Sequence, residues 1–452
     1  MNRVSAFFTR VFEYAVPDPY IFAVALTLLT ALLAFLFAPH HTPAQVVGSW
    51  YAGIFDILAF ALQMILILVT GYALAASAPV ANGLRRIAAL PQNPKSAVSL
   101  TFLVSAAACW LNWGFGLVVA GLLAREISKR MRIDFGWLVA AAYSGFLIWA
   151  SGLSSSIALA QATPGSKLNI VQILTGHVLP IGSTIFTAFN LVPVIVLLVV
   201  MPFVLRALEP SDVVVASGVI LSSSKDPEHV AGGDEVEGRG QRKTLASSLE
   251  NAWILNAVLA IAGLGYIAWL WITAGFSLDI NSVIFIFFCA GLLLHWRPIA
   301  YVAAVNEAAR ITGPLILQYP LYGGIMGMMT ATGLAGVIAQ WFDACSNAGT
   351  LPFWSYVSSI VISLFVPSGG GHWAVQGPFA VPAALKMHAS LPATAMGVAM
   401  GEQVANMIQP FWALPVLAIA GIGLRRVMAF TVVSFVIAFV VFGLSLLLLI
   451  PR

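Results

Sequence analysis

Residues 366–373 read Val366-Pro367-Ser368-Gly369-Gly370-Gly371-His372-Trp373, set inside an apolar stretch that runs from 351 to 386. Proline lacks the backbone donor that a helix needs, and glycine relaxes the backbone restrictions that keep one going. A stretch broken in this way is expected to enter the membrane as a hairpin and return on the same side. The segment 96–130 repeats the pattern, with its break at Asn112-Trp113-Gly114-Phe115-Gly116. Irregular backbone at membrane depth is tolerated only where protein buries it or water reaches it. Two such breaks therefore mark the centre from which the rest of the chain is read.

The rest is membrane protein. Of 452 residues, 60% are hydrophobic and 8% are charged, against about 25% charged in soluble domains. That excludes a soluble globular class and a disordered one. Cys109, Cys289 and Cys345 lie far apart in apolar segments and suggest neither a disulfide framework nor a metal spacing. The net charge of +4 is scattered between apolar runs, so no nucleic-acid partner is implied. Spans of about 20 apolar residues are expected near 19–38, 54–77, 136–162, 181–205, 251–273, 280–296, 314–340, 393–420 and 428–450. The expected fold is an all-α polytopic membrane protein with about nine spanning helices, two re-entrant hairpins and two broken helices. The first apolar run is read as a span rather than as a cleavable signal.

Charge placement supports the hairpins. With Arg3 and Arg10 inside and both broken stretches returning, all of the 21 Lys and Arg except Lys167, Lys386 and Arg452 fall on the cytoplasmic side, as the positive-inside rule requires. If the first hairpin crossed, Arg85, Arg86 and Lys95 would face one side and Arg125 to Arg132 the other. The reading puts the N-terminus (segment 1–16) in the cytoplasm and the C-terminus in the periplasm of a bacterial inner membrane. Residues 207–250 form the one hydrophilic interval and read as a cytoplasmic linker.

The halves on either side of it match at an offset of 255. Pro43 maps to Pro298, Gln63 to Gln318, Gly114 to Gly369, Gly116 to Gly371, Ser151 to Asn406 and Ser154 to Gln409. Each half reads span, short approach, span, broken hairpin, span with polar residues, span. The helix at 251–271 adds one crossing, so units 17–206 and 272–452 are expected to be inverted repeats. Inverted repeats with discontinuous helices at the midplane characterise secondary transporters, with the site between the repeats.

Four polar elements supply candidate site residues. The hairpin tips offer peptide N–H groups and helix dipoles to an anion, through Asn112, Trp113, Gly114 and Gly116 and through Ser368, Gly369, Gly370, Gly371 and His372. The broken spans offer Ser151, Ser154 and Ser155 in one half, Asn406 and Gln409 in the other. Pro410 removes a helix bond and is expected to free the Asn406 carbonyl. Freed carbonyls beside Ser151 and Asn406 suit a small cation. Among ionisable groups at depth, Asp56 and Glu307 lie near span ends, whereas Glu402 shares a helical face with Asn406 and His372 closes the glycine loop. The coupling-ion candidates are Ser151, Asn406, Glu402 and His372, for H⁺ or Na⁺, and no other cofactor is implied. None of the four elements carries Lys or Arg. A di- or tricarboxylate would need more compensation than amides provide. A single carboxylate on a short apolar body fits amides at one end and Trp113, Phe115, Trp373, Phe411 or Trp412 at the other.

At these residues the chain resembles the bacterial short-chain fatty acid transporter family, whose best-known member imports acetoacetate and butyrate. The resemblance rests on Val16-Pro17-Asp18-Pro19, on Leu111 to Val119, and on Val366 to Trp373. It extends to Gln376-Gly377-Pro378-Phe379, Gly401-Glu402-Gln403, Asn406-Met407 and Gln409 to Pro415. It covers nearly the whole chain outside 207–250. Ala150-Ser151-Gly152 departs from the more glycine-rich stretch expected of relatives. The resemblance implies membership of a wider ion-transporter superfamily in which dimers are frequent, so a homodimer is one expected assembly. The expected function is secondary transport of a short-chain monocarboxylate through the bilayer by alternating access, as cation-coupled symport. The alternative within transport is a Na⁺-coupled carrier of another carboxylate; an acyl-transferring enzyme using His372 and Glu402 is the contrasting class, and the chain shows neither HExxH nor G-x-S-x-G.

Overall fold

The computed structural model describes residues 19–210, 244–338, 346–364, 366, 368–409 and 411–450. Segment 1–16, most of the 207–250 linker, Cys345, Pro367 and Pro410 lie outside them. The described residues form helices and their connections, with no strand. Among them six helices are long and apolar enough to cross a membrane, and Ala23–Phe37, Ile280–His295 and Leu351–Ser363 are shorter apolar helices. One of the six is Pro94–Leu111, the first arm of the first hairpin.

Helix starts follow local chemistry. Pro43, Pro94 and Pro298 occupy first-turn positions, where the missing N–H is no loss. Thr42 with Gln45, and Asn93 with Ser96, close capping boxes ahead of two of them. The span expected from 181 begins later, at Ala188–Ala207. Pro180 and Gly182 leave only a 3-10 turn at Ile181–Ser183, and Asn190 reaches back to the Ile185 carbonyl at 2.8 Å. The span expected to 340 ends its helix at Ala331, where Gly333 takes φ +80°. Ala78–Ile87 is a further helix, too short to span, and its last turn carries Arg85 and Arg86.

The halves exchange their approaches. Pro19–Phe37 and Pro43–Asp56 pack on Gly313–Ala331, while Ile280–His295 and Pro298–Ala309 pack on Leu58–Ala75. A close crossing is at Gly53, where an added Cβ would run into the Gly323 carbonyl and the Gly327 Cα. Small residues let helix backbones approach in this way. Each hairpin then leans on the long helix of its own half, Trp113–Ser128 on Leu58–Ala75 and Gly369–Lys386 on Gly313–Ala331.

Contacts at the two ends of the bundle join residues that the charge distribution assigns to one side. Lys95 pairs with Glu209 at 3.1 Å, and Arg206 donates to Ser99 at 2.7 Å. At the other end Asp56 pairs with Lys167 at 3.6 Å, and the Ile280 amide donates to Thr163 at 3.2 Å.

Candidate functional site

The second arm of each hairpin starts from an extended residue. Asn112 has φ −155° and ψ 123°, and Ser368 has φ −156° and ψ 119°. In the first hairpin Asn112 caps the arm Trp113–Ser128 by accepting from the Phe115 amide at 2.9 Å. The Trp113 amide donates to Ser154 Oγ at 2.9 Å. Of the four amides expected to be bare at this tip, those of Asn112 and Gly116 donate to the Ala108 and Asn112 carbonyls at 3.0 and 2.8 Å, so three with Trp113 are committed to the protein. In the second hairpin Ser368 gives its hydroxyl to Tyr319 Oη at 3.0 Å and makes no side-chain bond to its own helix. The amides of Gly369 to Gly371 begin Gly369–Lys386 with no such cap, and the first turn has no helical partner for them. All three glycines are buried. Glycine is required here by close approach. An added Cβ would meet the Trp149 ring and Ser156 at Gly369, Phe60 at Gly370 and Tyr322 at Gly371.

The two broken helices meet each other. Phe135–Ser144 tightens into a 3-10 turn at Gly145–Ser151 and resumes as Ser156–Ala162, capped by Ser155. Leu391–Ala405 ends at Asn406, and the next helix is Ala413–Ala420. Trp149 donates to Asn406 Oδ1 at 2.9 Å and Tyr143 to the Asn406 carbonyl at 2.8 Å. Gln403 Oε1 accepts from the amides of Ala150 and Ser151 at 3.0 and 3.1 Å, and its Nε2 donates to Ser151 Oγ at 2.9 Å. Asn190 donates to the Ser151 carbonyl at 3.0 Å. The two carbonyls read from sequence as free for a cation thus each already accept one bond. Gln409 donates to the Ser363 carbonyl at 2.6 Å.

Two ionisable groups are buried with these elements. His372 and Glu402 are fully buried. His372 Nε2 lies 3.1 Å from Ser359 Oγ and 2.6 Å from Gln376 Oε1. Among the described residues its Nδ1 has no partner, nor has either Glu402 oxygen. Tyr319, which receives the Ser368 hydroxyl, is within electrostatic reach of Glu402. Asn112 Nδ2, Asn406 Nδ2, Trp113 Nε1 and Trp412 Nε1 are buried donors without acceptors, and Gln409 Oε1 is a buried acceptor without a donor. Native interiors leave few such atoms, and here they gather on the residues of the tips and breaks. Trp113 stands 5.1 Å from Trp412 and 6.3 Å from Trp149 by ring centroids, so one aromatic cluster links the first tip to both breaks. The arrangement can bind a small anion through neutral donors and cover an apolar body with rings.

Other candidates fall elsewhere. Gly114 packs on the Leu68 backbone and Gly116 on Cys109. Trp373 is a buried strut that donates to the Leu168 carbonyl at 2.9 Å. Asp56 and Glu307 are exposed at helix ends, paired with Lys167 and Arg310. Sequence reasoning passed over Tyr143, Asn190, Tyr319, Ser359, Gln376 and Gln403. For two of these a signal existed: Gln376 lies four residues after His372 and Gln403 three before Asn406, both on a shared helical face.

The family described as short chain fatty acid transporter matches residues 1–449. A protein of Escherichia coli that carries the short-chain fatty acid transporter name is 42% identical over 451 residues, covering 99% of this chain and 100% of its own. One from Haemophilus influenzae with the same name is 36% identical, covering 99% of each. Two solved structures share the fold. The Alcanivorax borkumensis YdaH transporter has a TM-score of 0.56 at 15% identity, over 95% of this chain and 98% of that one. Neisseria gonorrhoeae MtrF, from a class of antimetabolite efflux pumps, has a TM-score of 0.58 at 14% identity, over 98% and 97%.

Proposed function

The chain belongs to the short-chain fatty acid transporter family, and on that premise we propose that it carries short-chain monocarboxylates such as butyrate or acetoacetate across the bacterial inner membrane. It does so by alternating access, in symport with a proton. The observation that carries the reading is the buried, uncapped start of Gly369–Lys386, held against Trp149 and Ser156 at the break of the other half. Three amides and a helix dipole there suit one carboxylate. The Asn406 and Asn112 amides add neutral donors, and Trp113, Trp149 and Trp412 cover a short acyl chain.

Proton coupling is favoured because the carbonyls of Ser151 and Asn406 already accept hydrogen bonds, whereas His372 and Glu402 carry atoms without partners. A buried charge left unpaired costs several kcal/mol, so the coupling proton is taken up at His372 opposite the substrate carboxylate, with Glu402 as its relay. The reciprocal packing of the halves supports reading 17–206 and 272–452 as inverted units. The contact of Lys95 and Ser99 with Glu209 and Arg206 supports a first hairpin that returns to its own side; a returning second hairpin, a cytoplasmic N-terminus and a periplasmic C-terminus belong to the same proposal.

Purified protein in liposomes, given labelled butyrate, should accumulate it under an imposed pH gradient. Accumulation under a Na⁺ gradient alone would transfer the coupling to Na⁺ at the Glu402 carboxylate. Uptake that responds to neither gradient would end the coupled mechanism.

A further inference from the structure

We propose that Gln376 and Ser359 are positioning residues that hold the His372 proton on Nε2, so that Nδ1 is the atom that takes up the transported proton and meets the substrate carboxylate. The role of Nδ1 rests on the transporter reading above; the tautomer does not.

Gln376 lies one helical turn beyond His372. Its amide nitrogen is committed twice, to the Ser355 carbonyl at 2.9 Å and to Ser358 Oγ at 3.0 Å. These bonds fix which way the amide faces. Oε1, which carries no hydrogen, is left 2.6 Å from His372 Nε2. Two acceptors do not approach that closely, so Nε2 carries the hydrogen. Ser359 gives the same answer independently. Its hydroxyl donates to the Val398 carbonyl at 2.7 Å, which turns an oxygen lone pair toward Nε2 at 3.1 Å. The opposite tautomer would set the Nε2 lone pair against both oxygens.

Neutral imidazole has one N–H, so Nδ1 holds a lone pair in a buried position without a partner. An arriving proton forms an Nδ1–H bond and turns the ring into imidazolium. Nε2–H stays on Gln376 and Ser359, and Nδ1–H donates to one carboxylate oxygen. When the proton departs with the substrate, the ring returns to its neutral state. Among the described residues of the two tips and two breaks, only His372 can become a cation. Proton and carboxylate therefore occupy the centre as a neutral pair.

Nitrogen-15 NMR of the full-length protein in lipid, labelled on the histidine rings, tests the tautomer. The His372 signals are assigned by their loss in His372→Gln. The expected spectrum has a pyrrole-type Nε2 and a pyridine-type Nδ1; a pyrrole-type Nδ1 overturns the proposal without any variant. In the Gln376→Met/Ser359→Ala double variant both acceptors are gone. The two tautomers should then mix and butyrate uptake fall by about tenfold. Restoring the hydroxyl as Ser359→Thr should restore the tautomer. An unchanged tautomer in the double variant overturns the positioning role. If the wild-type spectrum is as expected and butyrate is not transported, the transporter reading falls and takes the role of Nδ1 with it.

Discussion

The Trp149 indole donates to Asn406 Oδ1 at 2.9 Å, and with that bond the break of one half is tied to the break of the other. It also leaves the Asn406 Nδ2 hydrogens facing away from Trp149, available to a ligand oxygen. Trp149→Phe keeps the ring contacts with Phe146 and Trp113 but strands a buried acceptor, which costs about 1–3 kcal/mol. Butyrate uptake should fall about tenfold or more, with the protein still monodisperse and helical. Wild-type rates would show that the tie is dispensable.

Asn406→Ala removes the oxygen held by Trp149 together with the free Nδ2 donors, and His372→Ala removes the ring that faces Gln376. Both should abolish uptake while leaving the amount of folded protein intact. Normal rates in both would remove this centre as the binding site.

Gly370→Ala places a methyl group in the Phe60 ring. Overpacking of this kind costs about 1–3 kcal/mol, and transport should drop accordingly. Phe60→Ala in the same chain makes room for the methyl, so the double variant should outperform Gly370→Ala alone. If it does not, the ring is not what confines the tip.

Glu402→Gln keeps the shape of the side chain and removes its charge. Gradient-driven accumulation should disappear, while exchange of labelled for unlabelled butyrate across the liposome persists. Loss of exchange as well would assign Glu402 to substrate binding instead of coupling.

Asp56→Asn breaks the pair with Lys167 at an exposed position. Surface pairs contribute about 0–1 kcal/mol, so neither thermal unfolding nor uptake should move appreciably. A large loss would mean that this contact is part of the moving machinery.

The helices and breaks were legible because lipid imposes them. A run such as Trp253–Ala274 is apolar all round, and a proline followed by three glycines is a poor interior for a helix. Which groups stay free at the breaks was not legible. Pro410 suggested an open carbonyl at Asn406, yet Tyr143, distant in sequence, supplies its donor. Asn112 followed by Trp113 could have been read as a helix cap, and that reading would have foreseen the loss of the Phe115 amide. Partners that arrive from the other half leave no local pattern. The i+4 spacing of His372 and Gln376 was visible, but its meaning depended on Ser355 and Ser358 turning the amide.

The exchange of approach helices has a consequence for biogenesis. Leu58–Ala75 is walled by Ile280–His295 and Pro298–Ala309, and Gly313–Ala331 by Pro19–Phe37 and Pro43–Asp56. Neither fragment of a gene cut between the halves can bury its own Gly53 or Gly323 face, so each made alone should be degraded by quality-control proteases. Made together, they should rescue one another, and ribosomes that stall before residue 280 should leave an immature product in the membrane.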